Sequence, residues 1–331
     1  MTGTALDTQA QNSNGTAPTS ESLYRIADEL QQKVNSVILG KSDIVRLCLA
    51  ALFAGEHLLL EDVPGVGKTM MGKAIACTIS GQFNRIQFTP DLLPSDITGS
   101  STYNAKTNEF VFNKGAIFSN FVLADEINRA PPRTQSALLE VMSDTQVSVD
   151  GQTYPMDTPF MVIATQNPYE FEGTYTLPES QLDRFLMRLS MGYPDREFES
   201  DILLNHRSGD PVSTIQPVCD GQTITQIQAA VKMVAVEESI AGYIMDVVNL
   251  TRQSQRFSVG VSTRGALAWY RAIQAVAFLD RRTYAIPDDA KDLATKVLSH
   301  RVQLSGSGSS VRREEAEAAI IGVVNQVSLP S

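Results

Sequence analysis

Cysteine, histidine and tryptophan are scarce in this chain of 331 residues, which carries three, three and one of them. Cys48, Cys77 and Cys219 are odd in number and widely spaced, which excludes a disulfide framework or a Cys-x-x-Cys metal or redox motif and leaves buried packing thiols. His57, His206 and His300 are too scattered for a metal site, so structural or surface roles are expected. Nowhere is there an apolar run of about 18 residues, so no membrane insertion is expected. The first 20 residues lack both the charged start and the apolar stretch of a secretory signal, and predict a frayed tail on a cytoplasmic protein. Positive charge is short as well: 27 basic against 37 acidic side chains give a formal charge of −10, which argues against a surface built mainly for nucleic acid or anionic membrane.

Apolar residues, by contrast, make up 43% of the chain, enough for the cores of two compact domains. Helical spacing covers residues 23–39 and 40–55. Four short β-like runs follow, "HLLLE" near 57–61, "FNRIQFT" near 83–89, "NFVLADE" near 120–126 and "FMVIATQN" near 160–167, with helical patterns such as "PRTQSALLEVMSD" between them. The alternation predicts an α/β fold with a parallel sheet flanked by helices. Two insertions interrupt it: residues 90–118, with a polar turn between possible strands, and residues 147–158, a hairpin around Asp150-Gly151. Beyond Tyr193-Pro194 the pattern turns helical, predicting a core over 21–194, a linker over 195–220 and a small all-helical lid over 221–331.

Chemistry first shows in "LLLEDVPGVGKTMMGKAIA" (58–76), an apolar run, a turn crowded with Pro64, Gly65 and Gly67, and then a helical pattern. A triphosphate cradle needs inward-facing backbone N–H groups, hence residues tolerant of positive φ, and a helix N-terminus behind them. Lys68 can reach the β/γ-phosphates and the Thr69 hydroxyl can ligate Mg²⁺. The pattern G-x-x-x-x-G-K-[ST] fails at Asp62, which stands where the first glycine belongs.

Further along, "FVLADE" is a buried-type strand ending in two carboxylates, with Asp125 placed for the metal shell and Glu126 for polarising water. "FMVIATQN" ends at Asn167, which could sense the γ-phosphate or hold the lytic water. In "LPESQLDRFLMRL" helical spacing puts Arg184 and Arg188 at i and i+4 on one face; Arg184 is the first candidate for a cation meeting transition-state charge and Arg188 the second. Arg264, in "VSTRGALAWY", is expected to reach the γ-phosphate of its own chain.

Together, "LLLEDVPGVGKT", "FVLADEINRAPPRTQSALLEVM", "IATQNP", "TLPESQLDRF" and "STRGAL" resemble an AAA+ ATPase and, more narrowly, the MoxR family, with agreement over roughly residues 35–305. Asp62 departs from the general phosphate loop in a way that this family tolerates. The resemblance implies ATP/ADP and Mg²⁺, a loop formed by Val63, Pro64, Gly65, Val66, Gly67, Lys68, Thr69 and Met70, and an adenine bordered by Val37, Ile38, Leu39 and Gly40 under a closing lid. It implies a homo-oligomeric ring, usually a hexamer, with ATP between subunits and both inserts handling a client at the pore. It implies ATP hydrolysis that drives chaperone-like remodelling of protein complexes or metal-cofactor enzymes, with client proteins and separate von Willebrand factor A domain proteins as partners. Two other functions stay open: a ring motor on nucleic acid of the MCM type, disfavoured because Lys106 is the only basic residue in either insert tip, and an assembly switch with little turnover.

Overall fold

The computed structural model describes residues 19–167, 174–205, 211–306 and 313–330. The expected tail falls almost entirely outside them, as do Pro168 and His206.

Two helices open the chain, α1 (Ser20–Asn35) and α2 (Ser42–Ala54), the second stopped by Gly55 at φ +73°. The core then alternates β1 (Leu58–Glu61), α3 (Lys68–Thr78), β2 (Phe83–Gln87), β5 (Phe121–Asp125), α5 (Pro132–Asp144), β8 (Met161–Gln166) and β9 (Met187–Leu189). The first insert adds α4 (Pro94–Thr98) and the hairpin β3 (Gly99–Asn104) and β4 (Glu109–Lys114) between β2 and β5. The second adds the hairpin β6 (Gln146–Val149) and β7 (Gln152–Pro155) before β8, with Asp150 and Gly151 both at positive φ in its two-residue turn.

The five core strands run parallel in the order β2-β5-β8-β1-β9. Side chains alternate across this sheet. Leu58, Leu60, Leu123 and Ile163 join one apolar cluster, and Leu59, Val122, Val162 and Ala164 another. Burial on both faces explains why these strands are apolar throughout.

One expectation fails here. The segment "LPESQLDRFLMRL" is not a continuous helix: a single turn, α6 (Glu179–Leu182), ends before Arg184, and Arg188 lies in β9. The apolar run from Phe185 to Leu189 pairs with β1, Leu58 opposite Met187 and Leu60 opposite Leu189, and this long-range pairing overrides the local helical spacing.

After β9 come α7 (Arg196–Asn205), in the segment read as a linker, and then α8 (Gly221–Lys232), α9 (Glu238–Gln253), β10 (Phe257–Val259), α10 (Thr263–Leu279), α11 (Pro287–Leu298), β11 (Gln303–Leu304) and α12 (Arg313–Val324). Trp269 is fully buried at their centre and donates Nε1–H to the Ala290 carbonyl at 3.0 Å. Helices α8 and α10 pack on α2, and the apolar cluster on this side of the sheet continues through α1 and α2 into the C-terminal helices. Cys48 is buried and its thiol is pushed up to about 12 by burial; Cys77 and Cys219 are half-buried, and all three are free.

Candidate functional site

The loop from β1 to α3 carries two glycines at positive φ directly before a helix N-terminus, as a phosphate cradle needs. Gly65 and Gly67 sit at φ +87° and +95°, where a side chain would be strained, and no atom lies within 4 Å of the place a Gly65 Cβ would take. Val66 is buried, Val63 and Met70 are half-buried, and Pro64 is exposed. Lys68 opens α3 with its side chain buried and donates from Nζ to the Asp62 carbonyl at 2.9 Å, so the ammonium is folded onto the loop before any phosphate arrives.

Asp62 itself is buried, and its side chain explains the missing glycine. The carboxylate accepts from the Ser190 hydroxyl at 2.8 Å, from the Met191 N–H and from the Gly192 N–H at 3.1 Å. It therefore staples the loop entry to the chain leaving β9. The same exit touches the segment from Val37 to Gly40, because Lys41 Nζ donates to the Tyr193 carbonyl at 2.8 Å and the Phe198 ring of α7 lies where a Gly40 Cβ would go. Val37 and Ile38 are buried, whereas Leu39 is half-buried and Gly40 exposed at φ +71°.

Beside the loop, the two carboxylates at the end of β5 are already engaged. Asp125 Oδ1 accepts from Thr165 Oγ1 at 2.6 Å, and Oδ2 accepts from Arg85 Nε at 3.0 Å. Glu126 is a non-glycine residue at φ +56°, held there as its N–H donates to Thr165 Oγ1 at 2.8 Å. Its Oε2 accepts from Gln87 Nε2 at 3.0 Å and lies 3.2 Å from Arg129 Nη1. Arg85 and Gln87 were not anticipated from the sequence; the signal was the polar alternation Arg-Ile-Gln in β2, which places both on the face beside β5. Asn167 is buried immediately after β8, whose Gln166 carbonyl accepts the Asp62 N–H at 3.1 Å, so its tip stands next to the loop.

The comparisons with known proteins agree with this geometry. The profile "ATPase family associated with various cellular activities (AAA)" matches residues 57–187, and an AAA lid domain profile matches residues 249–321. The chain is 49% identical over 310 residues to the Bacillus subtilis protein YeaC, described as uncharacterized, covering 94% of this chain and 97% of that one. It is 38% identical to the chaperone MoxR1 of Mycobacterium tuberculosis, covering 90% of this chain and 81% of that one. A crystal structure of a putative ATPase from Cytophaga hutchinsonii superposes with a TM-score of 0.85 at 36% identity, covering 94% of this chain and 97% of the other.

The chain belongs to the MoxR family of AAA+ ATPases. Membership makes it a nucleotide-binding enzyme that hydrolyses ATP. The donor set of this MoxR-family ATPase also fits a magnesium ion, which keeps most of its waters and takes few protein ligands: one hydroxyl, Thr69, and one carboxylate, Asp125. No cluster of three metal-ligating side chains competes for a metal among the described residues.

The arginines of the MoxR chain are placed differently from expectation. Arg188 does not share a face with Arg184. It is half-buried in β9, 3.6 Å from Glu61 and 3.3 Å from Ser299 Oγ, with Arg313 of α12 also 3.8 Å from Glu61. Burial lowers its pKa, partly offset by Glu61. An internal pair of this kind engages the guanidinium within its own subunit, which sets it apart from Arg184.

Arg264 is likewise not beside its own phosphate loop. It lines a cavity of about 470 Å³ together with Arg184, Glu56, Asp183, Arg271 and Arg301. This cavity opens at Gly55 to His57, before β1, whereas the phosphate loop follows β1. The strand alone separates the two by roughly 13 Å at about 3.3 Å per residue. Helices α8 and α10 pack on α2, and that packing carries Arg264 to the far end.

Within the cavity, Arg184 donates from Nη1 to the Leu139 carbonyl at 2.7 Å and to Ser143 Oγ, resting on the last turns of α5. Arg264 is exposed at the start of α10 and makes no ion pair among the described residues. Arg271, further along α10, pairs with Glu56. Behind them Arg301 is buried, and burial pulls its pKa down to about 10 against the opposing pull of Asp183. His300 is buried next to it, with Nε2 3.1 Å from the Phe185 carbonyl, and is pushed well below its ordinary 6.5 by burial and then by Arg301 and Arg188. His57 is also buried, with Nδ1 accepting the Val162 N–H at 3.0 Å and Nε2 3.0 Å from the Met142 carbonyl; burial lowers its pKa.

Proposed function

We propose that copies of this chain join head to tail, the phosphate loop of one facing the arginine cavity of the next, and that ATP is hydrolysed between them to remodel client proteins. One observation carries the reading. Arg184 and Arg264 share a cavity at the opposite end of β1 from Lys68, so the cations that phosphoryl transfer needs are out of reach of their own loop. A head-to-tail contact whose rotation closes gives a ring, and the family resemblance favours a hexamer.

In this arrangement residues 21–194 are the nucleotide core, 195–220 its linker and 221–331 the lid. Lys68 and the loop N–H groups hold the phosphates, and Val37 to Gly40 border the base. Thr69 and Asp125 hold Mg²⁺, which when bound neutralises developing phosphate charge. For this, Asp125 must exchange its bond from Arg85. Glu126, released from Gln87, polarises the attacking water, and Asn167 orients it. Arg184 leaves α5 to meet the charge together with Arg264 from the neighbouring copy.

The chaperone name belongs to the relative MoxR1, and it supports a remodelling role here. The β3–β4 hairpin presents Tyr103, Phe110 and Val111 to solvent, suited to grasp an unfolded client segment. Complexes or metal-cofactor enzymes in the cytoplasm, with a separate von Willebrand factor A domain protein, are the partners the resemblance favours. No described helix is long and apolar enough to cross a membrane.

Resemblance to an MCM homologue from Methanopyrus kandleri, with a TM-score of 0.57 at 16% identity, extends to the fold alone. The DNA motor is tested by binding: tight, steeply salt-dependent binding of single-stranded DNA in ATP would replace the remodelling role.

Two measurements test the proposal. Glu126→Gln should retain ATP binding and lose about 10²- to 10⁴-fold in turnover. Unchanged behaviour would instead support the assembly switch. Mixing inactive Lys68→Ala, which keeps its arginines, with inactive Arg184→Ala, which keeps its loop, should restore part of the turnover at mixed interfaces. No recovery from two variants that co-assemble would refute the shared site.

A further inference from the structure

The two candidate arginines come from different parts of the chain, yet their backbones are tied together through one side chain. Asp183, next to Arg184, accepts from Ser262 Oγ at 2.9 Å on Oδ2 and from Arg301 Nε at 2.8 Å on Oδ1. Ser262 is the N-cap of α10, two residues before Arg264, and its Oγ accepts the Gly265 N–H at 3.0 Å while donating to Asp183. Arg301 is buried and donates further to the Asp183, Phe185 and Leu186 carbonyls, with distances of 3.3, 2.5 and 3.1 Å. The first turn of α10 rests directly on it: a Cβ at Gly265 would come within 2.8 Å of Arg301 Cδ.

We propose that Asp183 is a positioning residue that locks the Arg184 turn and the first turn of α10 into one rigid two-cation clamp for the phosphates of a neighbouring copy. The inference rests on the shared-site reading above. Its physical basis is geometry. Arg184 hangs from a turn after a helix of four residues and Arg264 from a helix end in the lid, so without a tie each would follow its own domain. Asp183 fixes both to the buried Arg301, so lid movement displaces the two cations together. The link also carries signal the other way, because phosphate captured by Arg184 pulls on α10 and thereby on the lid.

The test uses the full chain. Turnover is measured against protein and ATP concentration, nucleotide affinity by titration with a fluorescent ATP analogue, and folding by circular dichroism and thermal melting. Ser262→Ala removes the hydroxyl of the tie and leaves the Asp183–Arg301 pair intact; Ser262→Thr restores the hydroxyl; Asp183→Asn weakens both contacts. The expected result for Ser262→Ala and Asp183→Asn is at least a tenfold fall in kcat with analogue affinity within twofold, and recovery in Ser262→Thr to within threefold of the parent. Measured on the residual turnover of Arg184→Ala at high enzyme concentration, adding Ser262→Ala should cost nothing further, since a tie between two prongs has no function once one is gone.

A folded Ser262→Ala with kcat within twofold of the parent, while Arg184→Ala is inactive, overturns the clamp and leaves the shared site standing. The clamp is likewise overturned if Ser262→Thr fails to rescue, or if losses in the double variant simply multiply. Normal turnover in both Arg184→Ala and Arg264→Ala removes the shared site, and the clamp with it. Should Asp183→Asn not fold, the Ser262 pair decides.

Discussion

Replacing Asp62 by glycine would restore the general phosphate-loop pattern, and the structure predicts that this apparent improvement harms the protein. The carboxylate is buried and accepts from two backbone N–H groups, of Met191 and Gly192, and from the Ser190 hydroxyl. A buried N–H left without a partner costs about 1–3 kcal/mol, so two of them cost about 2–6 kcal/mol, toward the lower end where water enters the space the side chain vacates. Glycine adds about 0.5–1 kcal/mol of backbone entropy. The expected loss is therefore about 3–5 kcal/mol, read as a lower urea midpoint and a melting temperature reduced by several degrees. Lys68 donates to the backbone carbonyl of residue 62, which glycine keeps, so the lysine stays on the loop. Nucleotide affinity should then fall only roughly tenfold, about 1.4 kcal/mol, through poorer ordering of the loop entry. Asp62→Asn, with one acceptor oxygen left, should land between the two. A glycine variant within 0.5 kcal/mol of the parent, with unchanged ATP-analogue affinity, would refute the reasoning that the carboxylate is the reason glycine is absent.

Stability should fall on mild acidification. His57 and His300 are both lowered from 6.5 in the folded chain, so below about pH 6.5 the unfolded state binds protons that the folded state refuses, and each histidine costs up to about 1.4 kcal/mol per pH unit until its folded pKa is reached, His300 over the wider range. Melting between pH 7.5 and 5.5 should show this decline, and a folded His300→Gln variant should flatten it; an equally steep decline in that variant would count against His300 as a source. Arg85→Ala should lower the Mg²⁺ concentration for half-maximal turnover about tenfold, since a unit positive charge about 6 Å from a divalent ion is worth roughly 1.4 kcal/mol at the dielectric of water, about 80. An unchanged or raised Mg²⁺ requirement would show that Arg85 does not compete for Asp125.

The α/β core, its four longest parallel strands, the hairpin at Asp150-Gly151 and the loop from Gly65 to Thr69 were legible because each rests on local chemistry: apolar runs, turn residues that accept positive φ, and a lysine at a helix start. The acidic end of β5 was legible for a related reason, as carboxylates closing an apolar strand have no packing role. Three things were not. Strand β9 read as helix because its partner β1 lies more than a hundred residues away in sequence, and a three-residue strand exists only through that pairing. The work of Asp62 could not be read because its hydrogen-bond partners stand 128 to 130 residues further along. Arg264 was assigned to its own nucleotide because the sequence places it in a lid without saying which end of the sheet that lid covers. Sequence alone thus determined what this protein binds and which groups are available to act on it, since those depend on residue type and short spacing. Tertiary structure decided where the cations lie, because only the packing of α10 on α2 and of Gly265 on Arg301 brings Arg264 into one cavity with Arg184, a strand's length away from Lys68 of the same chain.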